Sequence, residues 1–546
     1  MSVSLVPKGR PAGDDSPPTR SSGGATAGTR ALIRLILRRD RIWLPVWVVL
    51  SLGLVTSRAN SKDTVYPDAA ARQERYQDVM HDVPMFKLFQ GPAYGDSVPA
   101  LITQETFGGA TIIAALGAVI FMARHTRGEE QTGRSELVGS GAVGRHAQLT
   151  AALAVVFGAG LILALVSAAG LYGAGLPGPG SLALGLVAGG AVWIAAGLAA
   201  VIAQLTETSR AAGASAIAVF VGMHFLRGVF DMGDGAVRWL GWLVPNGWLQ
   251  RTRPYAGERW WTFLLVLALV AVLVRAAYAL SARRDLGAGL LPSRPGPARG
   301  APSLRSSMGL AWRLHRTMAL VWAIAAIVIA LPTGFAGADA MEDYADSERM
   351  REWADAMGAS NPGQAFFAYI AFTMGFPIAM YAIMTVLRLG QEENSGHAEL
   401  LLSGPVDRMR WAVGHLAVAL AIPAGLQLIL GLCFGLGSGE LGDMLTTTLS
   451  LIPAVWVMVG IAMAAYGLLH RGAAIVGWGA LVVALLAELG QHLGWPEWTF
   501  KTFSPFAHVL PFYGPPSPFT LAALTLIAAA LAGIGLVGVR RRDLLV

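Results

Sequence analysis

Apolar residues run in long blocks through most of the 546-residue chain, broken by short polar phrases. The blocks lie near residues 42–57, 101–123, 148–173, 181–204, 211–230 and 261–281. A second set lies near 318–336, 365–387, 411–436, 447–469, 472–490 and 519–539. Each approaches the ~20 apolar residues that an α-helix needs to cross a bilayer, so the pattern predicts about twelve spans. The expected fold class is therefore all-α: a polytopic membrane protein with about twelve transmembrane helices in two tandem parallel six-helix halves. The Gly-rich third to fifth blocks predict kinked or closely packed helices. Ahead of the first block, "ALIRLILRRDRIW" (31–43) sets apolar residues against arginines, as an amphipathic helix on a membrane surface would.

The polar interruptions repeat. "EEQTGRSELVGSGAVGR" (129–145) and "EENSGHAELLLSGPVDR" (392–408) share two leading glutamates and then Gly, Glu, Leu, Ser, Gly, Val and Arg at the same spacings. "RRDL" recurs at 283–286 and 541–544, just after the last block of each half. An arginine-bearing amphipathic stretch also precedes the seventh block, in "LAWRLHRTMALVW". Recurrence in one direction indicates a tandem duplication, with six spans between the two charged phrases, so both fall on the same side of the membrane. The expected divisions are a disordered tail (1–30), a first six-helix half (31–290), a linker (291–307) and a second six-helix half (308–546).

Charge adds orientation. Only 14% of residues are charged, and the net charge of +7 is gathered in particular loops. A nucleic-acid partner would need a continuous basic stripe, and none is present. Residues 281–316 carry Arg283, Arg284, Arg294, Arg299, Arg305, Arg313 and Arg316 against Asp285, and the chain ends "VRRRDLLV". Both segments read as cytoplasmic, with both termini inside, whereas the acidic stretch 338–355 reads as facing out. The single cysteine, Cys433, excludes an internal disulfide and a cysteine-rich metal site.

Two readings of the charged phrase compete. Acids in the first turn of a helix complement its dipole, which accounts for Glu129, Glu130, Glu392 and Glu393 locally. A docking element for a cytoplasmic partner also accounts for the recurrence of the whole phrase. In their position after the second span of each half, in the amphipathic leading helix and in the terminal "RRDL", these residues resemble ABC-2 type permeases. The likeness is nearest to the exporters of polyketide antibiotics, the tetronasin-type permeases, and covers the chain after about residue 31. The resemblance implies a coupling helix in each half, formed around Glu129, Glu130, Gly133, Glu136 and Arg145 and around Glu392, Glu393, Gly396, Glu399 and Arg408. It also implies a plasma-membrane location and two copies of a cytoplasmic ATPase that bring ATP and Mg. The first copy departs from the pattern, with Gly139 and Ala142 where the second has Leu402 and Pro405.

No cofactor is expected on this chain. A phosphate loop needs G-x-x-x-x-G-K-[ST], and Lys8, Lys62, Lys87 and Lys501 all lack the preceding glycine. No catalytic set is expected either, since GxSxG, HExxH and metal-spaced Cys/His clusters are missing. The alternative reading is a proton-coupled secondary transporter of the major facilitator type, which would keep acids well inside its spans. Intramembrane polar residues are the candidates for a substrate path: Gln104, Glu105, His224, Arg227, Glu488 and His492. The apolar lining otherwise suits a hydrophobic or amphipathic cargo such as a drug, a polyketide or a lipid.

Overall fold

The fold is taken from a computed structural model. Its described residues are 24–60, 62, 66–77, 79, 84–232, 235–285, 287–291, 299–343, 351, 354–355, 362–469, 472–492, 496–509 and 516–542. Residues 1–23 of the expected tail, 292–298 of the linker, half of 338–355 and the last four positions lie outside them. The chain divides into two compact units, Met1–Pro295 and Gly296–Val546.

In the first unit, α1 (Thr29–Arg39) is the expected amphipathic helix and meets α2 (Trp43–Asn60) at a 70° bend. A short α3 (Pro84–Phe89) precedes α4 (Val98–Ala123). The Ser97 hydroxyl accepts from the Ala100 N–H and Pro99 occupies the first turn, which together start α4. After α4 come α5 (Arg134–Gly139), α6 (Ala147–Gly173), α7 (Gly178–Leu205) and α8 (Ser209–Met232), then α9 (Pro245–Gln250) and α10 (Thr262–Ser281). Backbones approach closely where glycine allows it: a Cβ on Gly185 of α7 would fall 2.2 Å from the Ala164 carbonyl of α6.

The second unit holds α11 (Ser307–Asp343), α12 (Pro362–Asn394), α13 (His397–Leu402), α14 (Arg408–Ser438), α15 (Leu441–Leu449), α16 (Ile452–Leu469), α17 (Ala473–His492), α18 (Glu497–Phe503) and α19 (Pro518–Arg541). Asp407 caps α14, its carboxylate accepting from the Met409 N–H at 3.0 Å. A Cβ on Gly467 would meet the Gly535 carbonyl at 2.1 Å, so α16 and α19 touch along their backbones.

Among the described residues ten helices are long and apolar enough to span a membrane, and eleven if the bent α1–α2 pair is one span. The segment Ala473–Glu488, where the eleventh block was expected, is a shorter apolar helix. The chain is an all-α, multi-pass membrane protein. Within each unit the helices divide into central and peripheral. The span Val98–Gln131 is 72% buried and Thr262–Ser281 17%, while Gly363–Asn394 is 61% buried and Pro518–Arg541 28%.

Candidate functional site

The two repeated phrases adopt one geometry. In the first half, α4 continues through a wider turn (Arg124–Gly128) and ends at Gln131; in the second, α12 runs unbroken to Asn394. Each long helix stops at a glycine with left-handed backbone, Gly133 at φ 70° and Gly396 at φ 75°. Nothing lies within 4 Å of a Cβ built on either glycine. Backbone conformation, not space, calls for glycine at both turns. The chain then forms the short helices α5 and α13, which match position for position.

This placement reverses the dipole reading of the leading glutamates. Glu129, Glu130, Glu392 and Glu393 sit in the last turn of a long helix, where the dipole disfavours negative charge. Arginines hold them instead. The Glu130 side chain, 8% exposed, accepts from Arg284 Nη2 at 2.5 Å and Nη1 at 2.9 Å, from Arg127 Nη1 at 2.8 Å and from the Gly287 N–H at 3.2 Å. Gln204 Oε1 accepts from Arg284 Nε at 2.7 Å, and Arg127 Nε donates to the Ala203 carbonyl. Glu129 pairs with Arg39 of α1 and, at 3.8 Å, with Arg134.

In the second half the Glu393 side chain is 3% exposed, and its Oε2 accepts from Arg542 Nη2 at 2.6 Å and from the Tyr466 hydroxyl at 2.7 Å. The Arg542 guanidinium also stacks over the Tyr466 ring, 4.4 Å from its centroid. Glu392 meets Arg388 at 3.2 Å and His397 at 3.7 Å. The arginine closing each phrase reaches the same region: Arg145 Nη2 donates to the Ala282 carbonyl at 3.1 Å, and Arg408 Nη1 to the Arg542 carbonyl at 2.6 Å. Beside Arg145, the His146 imidazole packs edge-on to Tyr278, and partial burial together with the Arg145 charge pushes its pKa below the ordinary value.

Other residues of the phrase face outward. Glu136 and Glu399 are exposed in the first turn of the short helices, and beside them Leu137 is 77% and Leu400 76% exposed. Sequence reasoning named the glutamates and quoted "RRDL" as a repeat, but it missed that these two repeats bind each other. The signal was available in Arg284 and Arg542, which hold the same place in both copies.

The polar path candidates gather in the first half. Glu105 accepts from the Tyr66 hydroxyl at 2.8 Å and lies 3.5 Å from both Arg58 and Arg75. Gln104 Nε2 donates to Gln90 Oε1 at 2.9 Å, and Gln250 Nε2 to the Gln90 carbonyl at 3.1 Å. Arg227 donates to Gln250 and to Asp231, both at 2.9 Å, and Arg251 reaches Asp231 at 3.1 Å. His224 Nε2 donates to the Phe89 carbonyl at 2.8 Å. These residues tie α3, α4, α8 and α9 together. In the second half Glu488 is partly buried near the end of α17, and the His492 side chain lies outside the described residues. An apolar groove of about 700 Å³ runs between α11 and α14, lined by Trp312, Leu320, Ala323, Ile422, Leu426 and Ile429. Among the described residues no three His, Cys, Asp or Glu side chains gather as a metal site would require.

Two repeated halves of apolar helices, each with a polar joint at the same place, define a duplicated multi-pass membrane protein. Residues 72–281 and 304–540 match the family model described as multidrug efflux system permease Rv1217c, C-terminal domain. The chain is also similar to the multidrug efflux system permease protein Rv1217c of Mycobacterium tuberculosis (strain ATCC 25618 / H37Rv), at 38% identity over 557 residues and 100% of both chains. It belongs to this Rv1217c family of efflux permeases.

Proposed function

We propose that the chain is the membrane subunit of an ABC-2 type exporter, akin to the tetronasin-type permeases, driven by two copies of a cytoplasmic ATPase that hold the ATP and Mg. The observation that carries this reading is the pair α5 and α13. Each is a short helix set off by a left-handed glycine, its base tied down by partly buried arginines and its tip presenting a glutamate and a leucine to solvent. An exposed leucine in identical register on both copies suits insertion into two equal clefts, such as a pair of identical subunits offers. The outward contact falls to Glu136, Leu137, Glu399 and Leu400, while Glu130 and Glu393 act from behind.

The cargo is a lipophilic compound moved out across the plasma membrane. The relative's description as a multidrug efflux permease supports this, and the α11–α14 groove has the volume of a drug-sized ligand. Both termini and both phrases lie on the cytoplasmic side, as the arginine-rich linker argues.

The test pairs the chain with its ATPase. Purified alone it should leave ATP unhydrolysed, and with the ATPase it should support turnover stimulated by a lipophilic drug. Leu137→Asp with Leu400→Asp should lower recovery of the complex at least about tenfold, the effect of losing central apolar anchors worth ~2 kcal/mol or more together. Melting of the lone chain should stay unchanged, because both side chains are exposed. Undiminished co-purification of the double variant would remove the docking role.

A further inference from the structure

We infer that Arg284 and Arg542 are positioning residues of the transport cycle, each clamping the short docking helix of its half to the end of that half's last helix. The inference rests on the docking role of α5 and α13 proposed above. Its observation is separate: in each half the second glutamate of the charged phrase meets the second arginine of "RRDL", Glu130 with Arg284 and Glu393 with Arg542. The same pairing thus arises twice, between segments about 150 residues apart.

Three features separate this clamp from ordinary helix stabilisation. First, the acids occupy a helix end where their charge is disfavoured, so the pair is not placed to support its own helix. Second, the surroundings differ while the pair persists. In the first half Arg127, Gln204 and the Gly287 N–H join the site, and in the second the Tyr466 hydroxyl and ring are among its parts. Third, each short helix is tied on both flanks. The glutamate before it and the arginine after it, Arg145 or Arg408, both reach the segment that follows the last helix.

The mechanical consequence follows from burial. Breaking the pair would leave charges in a site nearly closed to water, so it stays shut and its parts move as one body. A push on α13 is then delivered to α19, a peripheral helix 28% buried, as well as to the central α12. The same holds for α5, α10 and α4 in the first half. A docking element attached only to the central helix would leave the periphery behind.

The experiment uses the full chain reconstituted with its ATPase in lipid vesicles, with wild type, Arg542→Ala, Arg542→Lys and the exchange Glu393→Arg with Arg542→Glu. Arg542→Ala should still assemble with the ATPase and keep basal hydrolysis, but lose drug stimulation about tenfold. The lysine variant should recover part of it and the charge exchange most of it. The chain alone supplies an arm that needs no ATPase: amide exchange across residues 397–402 should quicken about tenfold in Arg542→Ala and return toward wild type in the exchange variant. Full drug stimulation in an assembled Arg542→Ala complex overturns the inference, and so does unchanged exchange at 397–402. If wild type itself fails to bind the ATPase while exchange responds as stated, the docking reading fails and the clamp stands. Should Arg542→Ala not fold, the Arg284→Lys and Glu130→Gln variants repeat the same measurements in the first half.

Discussion

Glu393 sits where the backbone of α12 already ends in partial negative charge, and Glu130 ends the α4 span in the same way. Local propensity opposes both, by ~0.3–1 kcal/mol each, and the buried arginines override it. The glycine that follows makes the geometry possible. Gly396 has φ 75° with open space around it, so Gly396→Ala should cost about 1–2 kcal/mol of backbone strain without any clash. The expected outcome is a small fall in melting temperature with a larger fall in ATPase co-purification, since the short helix is re-aimed. Gly396→Asn, which tolerates the left-handed region, should restore co-purification. The pair of glutamates was legible in the sequence because it recurs, but its direction was not. Acids just ahead of "GHAELLL" look like the start of the next helix, and residue pattern alone does not say that the previous helix runs through them to Asn394. The arginine partners were hidden for a different reason: an ion pair closed across about 150 residues leaves no local spacing to read.

Most of the helices were legible from length and apolarity, the strongest signals a membrane chain offers. The exceptions have physical causes. The first block lies in α2, which the amphipathic α1 meets at a 70° bend, because "RRDRI" places charges where a straight helix would enter the bilayer. The eleventh yields the shorter apolar segment Ala473–Glu488. The first-half path candidates Gln104, His224 and Arg227 bond across α3, α4, α8 and α9, since burial leaves a polar group little choice but to find a partner. The groove proposed for the cargo is apolar, between α11 and α14. Gly425 lines that groove with nothing within 4 Å of a built Cβ, so Gly425→Leu fills the groove without striking the fold. Drug-stimulated ATPase activity should then need about tenfold more drug, while basal activity and melting stay near wild type. Unchanged drug dependence would exclude this groove as the cargo site.

For the whole molecule, orientation is the property that arginine distribution sets and helix packing does not. In a Cys433→Ser background, single cysteines placed within residues 338–355 should react with an impermeant thiol reagent added outside intact cells. Cysteines within 281–316 should react only after permeabilisation. The opposite labelling would put the short helices on the wrong face for any cytoplasmic partner. The described parts of the two clamps also differ: Arg284, Arg127, Gln204 and the Gly287 N–H gather in the first, and Arg542 and Tyr466 are found in the second. The described partners of each clamp, however, come from its own half. A pair closed within one half can keep its arginine and glutamate while the groups around it change, with no matching change called for in the other half.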